Sequence, residues 1–331
     1  MKAKVTITDV AMHCNVSKSS VSRYLNQGYV SKENAQKIQK AIDELGFETN
    51  YFAQRLKAKH SRFVGVLVPD LSTYETSRMV TGMQRMFDTY KYQGSIVLTD
   101  NDVNKEKACI QRLTQQGVDA IIITHSKHIQ ELQEVIEHSN VLILFANQMC
   151  TYAPFLDMDE YQAGKCMGEY FCERYFHKIA YLYSDQAIMK KRLDSFLKTY
   201  KQKNILCSVE AIPCDGSSQQ VEKAARTIIA KQLEAVLCEK DMFALGVLKY
   251  FHEFHIHVPQ NVSIASFGGH QLCTLTSPSI TTVTYDYEAF GANLVEEVIA
   301  IREERAPNWG EVSICLQEGS SVKGETSTKK E

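Results

Sequence analysis

The sequence predicts an α/β protein in two parts: a small head of three helices in a helix-turn-helix arrangement, then a larger core of parallel sheets. Three observations point there. Positive charge gathers at the start: residues 1–62 hold eight Lys and three Arg against two Asp and three Glu, a surplus of six in a chain of net charge −2. The same stretch shows apolar residues at helical spacing, broken by capping residues. From Arg62 onward, short β-rich runs alternate with segments of helical length. A length of 331 residues suffices for two or three full-sized cores, and 44% apolar with 23% charged residues is ordinary globular composition.

The head reads element by element. Thr6 and Asp9 form a capping-box-like start for a helix over about 7–14. Ser17 can cap a second helix reaching about Asn26, and Gly28 breaks it. Ser31 caps a third, in which Ala35, Ile38, Ala41, Ile42 and Leu45 recur at helical spacing until Gly46 stops it. One shared apolar face makes these three a minimal bundle over residues 1–48.

In the core, apolar strands are expected at 63–69, 95–100, 119–124, 141–147, 178–184, 234–240 and 262–268, with others near 155–158, 209–213, 281–285 and 312–316. Helices such as 79–92 and 221–231 lie between them. Near-continuous apolar strands alternating with helices mean parallel sheets covered on both faces. The strands are too many for one compact sheet, so the core over 62–331 divides into two α/β lobes with a crevice where strand ends meet. The N-lobe is expected at about 62–158 plus 286–306 and the C-lobe at about 159–284 plus 307–323. From about Gly319 the chain becomes a polar tail that frays at its end.

The start "MKAKVTITDV" lacks the apolar run of a signal peptide, and "VLILFA" at 141–146 is far too short to cross a bilayer. Ten cysteines without a CxxC pair suit buried thiols in a reducing cytoplasm. The chain is therefore expected to be cytoplasmic.

The second helix is unusual: "VSKSSVSRYLNQGYVS" (16–31) has five serines and only Val16, Val21 and Leu25 to bury. A polar second helix on a basic head is what a DNA major groove receives. Lys18 and Ser19 lie at its N-terminal end, where side chains reach base edges, and Arg23 can offer a bidentate contact to guanine. Serine hydroxyls suit phosphate oxygens. A solvated surface helix would share this composition. The basic stretch "NYFAQRLKAK" (50–59) follows, with Asn50 placed to cap a short helix at 49–61 that needs a partner to form. Leu56 among cations can wedge between base pairs in the minor groove.

These segments resemble the LacI/GalR family of bacterial transcription regulators. The matching residues are D-V-A at 9–11, V-S-x-x-x-V-S-R-x-L-N at 16–26, V-S at 30–31, A-I-x-E-L-G-F at 41–47 and N-x-x-A-Q-x-L at 50–56. The likeness continues through "GVDAIII", "DEYQAG", "DMFALG" and "SPSITTVTYDYEAFG" to cover essentially the whole chain, and is strongest in feel for sucrose and trehalose operon repressors. It implies a periplasmic-binding-protein-like core that binds an effector and dimerises. It implies base reading by Lys18, Ser19 and Arg23, with Thr6, Ser17, Ser20, Ser22, Asn26, Ser31 and Asn34 along the backbone. Asn50, Ala53, Gln54 and Leu56 would form the hinge helix, though Thr49 stands where the family usually has Pro.

For the crevice, the resemblance implies Thr73, Glu75, Thr76 and Ser77 on the loop after the first strand, Asn147 at a strand end, and Arg192 as a bridge to sugar hydroxyls. Two positions depart from the family. Lys240-Asp241 replaces a usual Asn-Asp, and Gly268 with Gly269 stands where an Asp is common. Lys240 either meets an anionic group of a phosphorylated or unusual sugar, or pairs with Glu239 or another carboxylate.

The sequence has no GxxxxGK[ST], no GxGxxG after a strand, no GxSxG and no HExxH, so neither an enzyme nor a cofactor is expected. His252, His255 and His257 are the best metal candidates by spacing, but they lack a nearby cysteine or carboxylate motif and read as surface histidines. The expected function is a repressor of a carbohydrate-utilisation operon, released by a sugar or sugar phosphate, acting as a homodimer on a pseudo-palindromic operator. No leucine heptads follow the last strand, which favours a dimer over a coiled-coil tetramer. Two alternatives stand: a global carbon-catabolite regulator using a phosphoprotein corepressor, and a sugar-binding protein or enzyme without specific DNA binding.

Overall fold

A computed structural model describes residues 5–25, 28–47 and 61–324. The chain divides into two compact units, Met1–Ser61 and Arg62–Glu331.

Among the described residues the head has three helices, α1 (Ile7–His13), α2 (Lys18–Leu25) and α3 (Lys32–Leu45). Each starts where the sequence supplies a cap. Thr6 and Asp9 close a reciprocal capping box on α1, and Ser31 accepts from the Asn34 N–H at the start of α3. Gly46 ends α3 in the left-handed region at φ 59. The core is small: Val10, Ala11, Val21, Ile38 and Ala41 are buried, with Val16, Tyr24, Leu25 and Ile42 packed around them.

In the larger unit, a five-stranded parallel sheet has the order β2-β1-β3-β4-β5. Its strands are β1 (Phe63–Val68), β2 (Gln93–Leu98), β3 (Ala120–Ile123), β4 (Leu142–Ala146) and β5 (Phe155–Leu156). Side chains alternate across it: Val64, Val66 and Val68 point to one core, while Leu67 joins Ile121 and Ile123 in the other. Helices α4 (Tyr74–Tyr90), α5 (Val103–Gln115) and α6 (Ile129–Glu137) link its strands.

After β5 the chain enters a six-stranded sheet of order β11-β10-β9-β8-β6-β7, parallel except for β11. Its strands are β6 (Lys178–Tyr183), β7 (Ser208–Pro213), β8 (Ala235–Cys238), β9 (Ser263–Gly268), β10 (Thr281–Tyr285) and β11 (Ile314–Gln317). Helices α7 (Glu160–Cys172), α8 (Gln186–Gln202), α9 (Ser218–Ala230), α10 (Asp241–Glu253) and the short α11 (Leu272–Leu275) belong with it. The chain then returns, since α12 (Tyr287–Arg302) packs on α4 of the first lobe. Three crossings therefore join the lobes: one between β5 and α7, one between β10 and α12, and one between α12 and β11.

The segment after Gly319 departs from the expected polar tail. Ser321 is fully buried, its hydroxyl donates to the Ile264 carbonyl at 2.6 Å, and Val322 is buried beside it. A serine that satisfies a strand carbonyl is polar in composition but structural in place. All ten cysteines are free thiols, six of them buried. Among the described residues no helix is long and apolar enough to cross a membrane.

Two packing details carry measurable consequences. Helices α7 and α8 cross at Gly164, where an added Cβ would lie 2.1 Å from the Arg192 carbonyl oxygen. Gly164→Ala is expected to destabilise the core by about 1–3 kcal/mol in chemical melts. Gly310→Ala, whose Cβ would have Asn293 Oδ1 at 3.7 Å as its nearest neighbour, is expected to change little. In the first lobe, burial of Glu296 opposes its ionisation, but Arg305, Tyr90 and the Asn308 N–H outweigh it and lower its pKa from 4.5 to about 2. A lowered folded pKa means stability present above 4.5 and lost as pH falls towards 2. Glu296→Gln is therefore expected to flatten that part of the acid-denaturation profile.

Candidate functional site

Two surfaces gather the candidate residues. On the head, α2 buries Val21 and turns Lys18, Ser19 and Arg23 to solvent. Neither the Lys18 nor the Arg23 side chain is engaged among the described residues. The helix is fixed from behind: the Tyr24 hydroxyl donates to Gln39 Oε1 on α3 at 2.7 Å. Several hydroxyls expected along a DNA backbone also serve local structure. Ser17 accepts the Ser20 N–H at 3.1 Å and lies 2.8 Å from the Ser19 hydroxyl, while Thr6 and Ser31 cap α1 and α3. Ser22 and Asn34 are half-buried. Asn26, Asn50, Ala53, Gln54 and Leu56 lie outside the described residues. Tyr29, 90% exposed just after α2, is a surface aromatic absent from the sequence-based expectation. Its signal was a large ring between Gly28 and Val30 with nothing to pack it.

In the core, strand ends of both lobes face one crevice. The expected loop after β1 is corrected: Thr73 is the N-cap of α4, and Glu75, Thr76 and Ser77 belong to its first turn. Thr73 accepts the Thr76 N–H, its hydroxyl donates to Thr76 Oγ1 at 2.8 Å, and the Ser77 hydroxyl donates to the Tyr74 carbonyl. These hydroxyls are used in starting the helix. Glu75 is half-buried near Tyr287.

Asn147 and Arg192 come together, through a residue the sequence did not single out. Glu160, the first residue of α7, is fully buried. Its Oε2 accepts Arg192 Nε at 2.6 Å and the Tyr285 hydroxyl at 2.9 Å; its Oε1 accepts Asn147 Nδ2 at 3.0 Å. Arg192 Nη1 donates to the Glu239 carbonyl at 3.0 Å, and its guanidinium lies 4.4 Å from the Phe267 ring centre. Burial disfavours both charges, yet the contacts prevail: Arg192 and hydrogen bonds from Asn147 and Tyr285 hold the Glu160 carboxyl below its ordinary pKa. Asn147 sits at φ 50 after β4, and its Oδ1 accepts the Met158 N–H at 3.0 Å. The signal for Glu160 was its position in "MDEYQAG", an acid opening a helix just after a strand, but an N-terminal acid is ordinary helix chemistry.

Gly268 makes room for a buried carboxylate. At φ 143 it faces the buried Asp241, and an added Cβ would lie 2.6 Å from Asp241 Oδ2. Asp241 accepts from the Ser266 and Thr282 hydroxyls and the His270 N–H at 2.5–2.7 Å. Asp241 therefore occupies the space beside Gly268 and already accepts three hydrogen bonds. Lys240 is exposed, and Glu239 is not its partner: that carboxylate receives the Ser184 and Asp185 N–H groups instead. The carboxylate Lys240 does affect is Asp70 of the other lobe, held below its ordinary pKa chiefly by Ser72 and, more weakly, by Lys240. Aromatic rings line the same region: Tyr74 lies 4.8 Å from His270 and 6.2 Å from Tyr287, which stacks on Tyr285 at 5.5 Å. Beside the crossing after β10, a cavity of about 260 Å³ is lined by Tyr74, Arg78, Tyr285, Asp286, Tyr287 and Glu288, among others. Among the described residues no group of three His, Cys, Asp or Glu is placed to hold a metal ion.

Known proteins resemble both parts of the chain. Residues 6–50 match the bacterial regulatory proteins of the lacI family, and residues 169–322 match the periplasmic binding protein-like domain. The chain is 25% identical over 295 residues to a sucrose operon repressor of Staphylococcus xylosus, covering 88% of this chain and 92% of that one. It is 28% identical over 315 residues to catabolite control protein A of Staphylococcus aureus, covering 92% and 95%. The lac repressor dimer, solved with operator and an anti-inducer, superposes with a TM-score of 0.83 at 21% identity, over 97% of this chain and 99% of that one. The chain thus joins a lacI-family helix-turn-helix head to a periplasmic binding protein-like domain, the make-up of DNA-binding transcriptional regulators.

Proposed function

We propose that the chain is a repressor of a carbohydrate-utilisation operon in the cytoplasm, released when a sugar binds between the core lobes. One observation carries the DNA half: Lys18, Ser19 and Arg23 share the solvent side of a helix whose other side is anchored by Val21 and Tyr24. Rigid backing with uncommitted long cations in front is what base reading requires. In this reading two protomers place two α2 helices on a pseudo-palindromic operator. Asn50, Ala53, Gln54 and Leu56 form the minor-groove hinge, and the head ends near residue 48. Similarity to a sucrose operon repressor supports a sugar as effector, with Arg192, Asn147, Lys240 and the turn at 73–77 around it. Ligand acts by favouring one lobe arrangement. Similarity to catabolite control protein A favours a second reading, a global regulator using a phosphoprotein corepressor.

Fluorescence anisotropy on palindromic duplexes selected from a random pool, at fixed salt, tests this. Release of a sequence-specific complex by one sugar supports the first reading; tight binding indifferent to every small effector supports the second. No preference over bulk DNA overturns both. Arg23→Ala is expected to weaken the selected duplex by about 1–3 kcal/mol, roughly 5- to 150-fold, and bulk DNA far less. Leu56→Ala is expected to lower operator affinity while sparing sugar binding; unchanged operator affinity would remove the minor-groove wedge.

A further inference from the structure

We infer that Glu160 makes the crevice selective for an uncharged polyol over a phosphorylated one. This inference rests on the sugar-crevice reading above and adds the ligand's charge class. Arg192 is a buried cation, and a lone buried guanidinium would be a strong site for a phosphate. Here its charge is already met: Glu160 takes Nε at 2.6 Å inside a fully buried cluster, and Tyr285 and Asn147 fix that carboxylate from two other directions. An entering phosphate would lie next to Glu160 as well as Arg192, so it would meet no net positive charge there. Burying an anion without a counter-charge is costly.

Two of the neighbouring cations are paired in the same way. Lys191 is paired with Asp157 at 2.6 Å. Arg78 is paired with Glu288 at the rim of the nearby cavity, whose lining also includes Asp286. Lys240 is exposed and acts only weakly on Asp70 of the opposite lobe, which Ser72 chiefly holds. His125, near Lys240 and Lys127, is pushed towards its neutral form by burial and then by Lys240. Lys127 is exposed beside it. What the crevice does offer is uncommitted hydrogen bonding and ring faces. Two of the five guanidinium N–H groups of Arg192 are used, and the half-buried Tyr74 and His270 present aromatic surface. Hydroxyl acceptors and the apolar face of a sugar ring fit that set.

The test is calorimetric titration of the full chain with two matched pairs: sucrose and sucrose 6-phosphate, trehalose and trehalose 6-phosphate. The neutral member of any pair that binds is expected to be tighter by about tenfold or more. Glu160→Gln, which leaves Arg192 unneutralised, is expected to shrink or invert that ratio. The double variant Glu160→Gln with Arg192→Gln removes both charges, and it is expected to restore the neutral preference even where the single variant folds poorly. A wild-type chain that binds the phosphorylated member equally or more tightly overturns the inference and leaves the sugar-crevice reading standing. An unchanged ratio in a folded Glu160→Gln variant also overturns it. Failure of all four to bind removes the disaccharide reading itself, and this inference with it.

Discussion

A single buried carboxylate joins the parts of the core. Glu160 opens α7 just after the chain crosses between lobes, and it receives Asn147 from the first lobe, Arg192 from the second and Tyr285 from the end of β10. Desolvating two charges costs several kcal/mol per ion, so such a pair contributes little net stability compared with apolar packing. Its effect is directional. A change in lobe orientation that moves Asn147 relative to Arg192 draws a donor away from this buried carboxylate. The glycine at 164, one turn along α7, allows the Arg192 backbone to approach closely enough for the pair to form.

This arrangement gives ligand coupling a physical basis. A ligand shifts the lobes only by its differential affinity for their arrangements. Contacts to Tyr285 or Arg192 bear on the Glu160 cluster directly, and through it on both lobes. Asp241 acts as a local counterpart within the second lobe: three donors saturate it, and Gly268 gives it room. The two carboxylates thus order their surroundings differently, Glu160 across the lobes and Asp241 within the second.

The head solves a different problem. Its core has five buried residues, so caps and short tertiary hydrogen bonds weigh heavily in its stability. Thr6, Ser17 and Ser31 each cap a helix in the free protein, which orders the same hydroxyls that would meet phosphates. Lys18 and Arg23 are kept out of that local bonding.

Much was legible in the sequence because it is local. Caps at Thr6, Ser17 and Ser31, the stop at Gly46, and the alternation of apolar strands with helices need only neighbours along the chain, and the elements fall where that pattern places them. The polar outer face of α2 was readable for the same reason. The sequence could not show that Glu160 and Arg192, 32 positions apart, share one buried site, or that Tyr285 completes it from 125 positions away. It also could not show that Asp241 fills the space beside Gly268, or that Thr73 and Thr76 spend their hydroxyls on a helix start. Periodicity and capping are set by the backbone's own repeat. Whether a charged side chain is neutralised depends on burial and on partners brought from other strands and helices, and only the tertiary structure decides that.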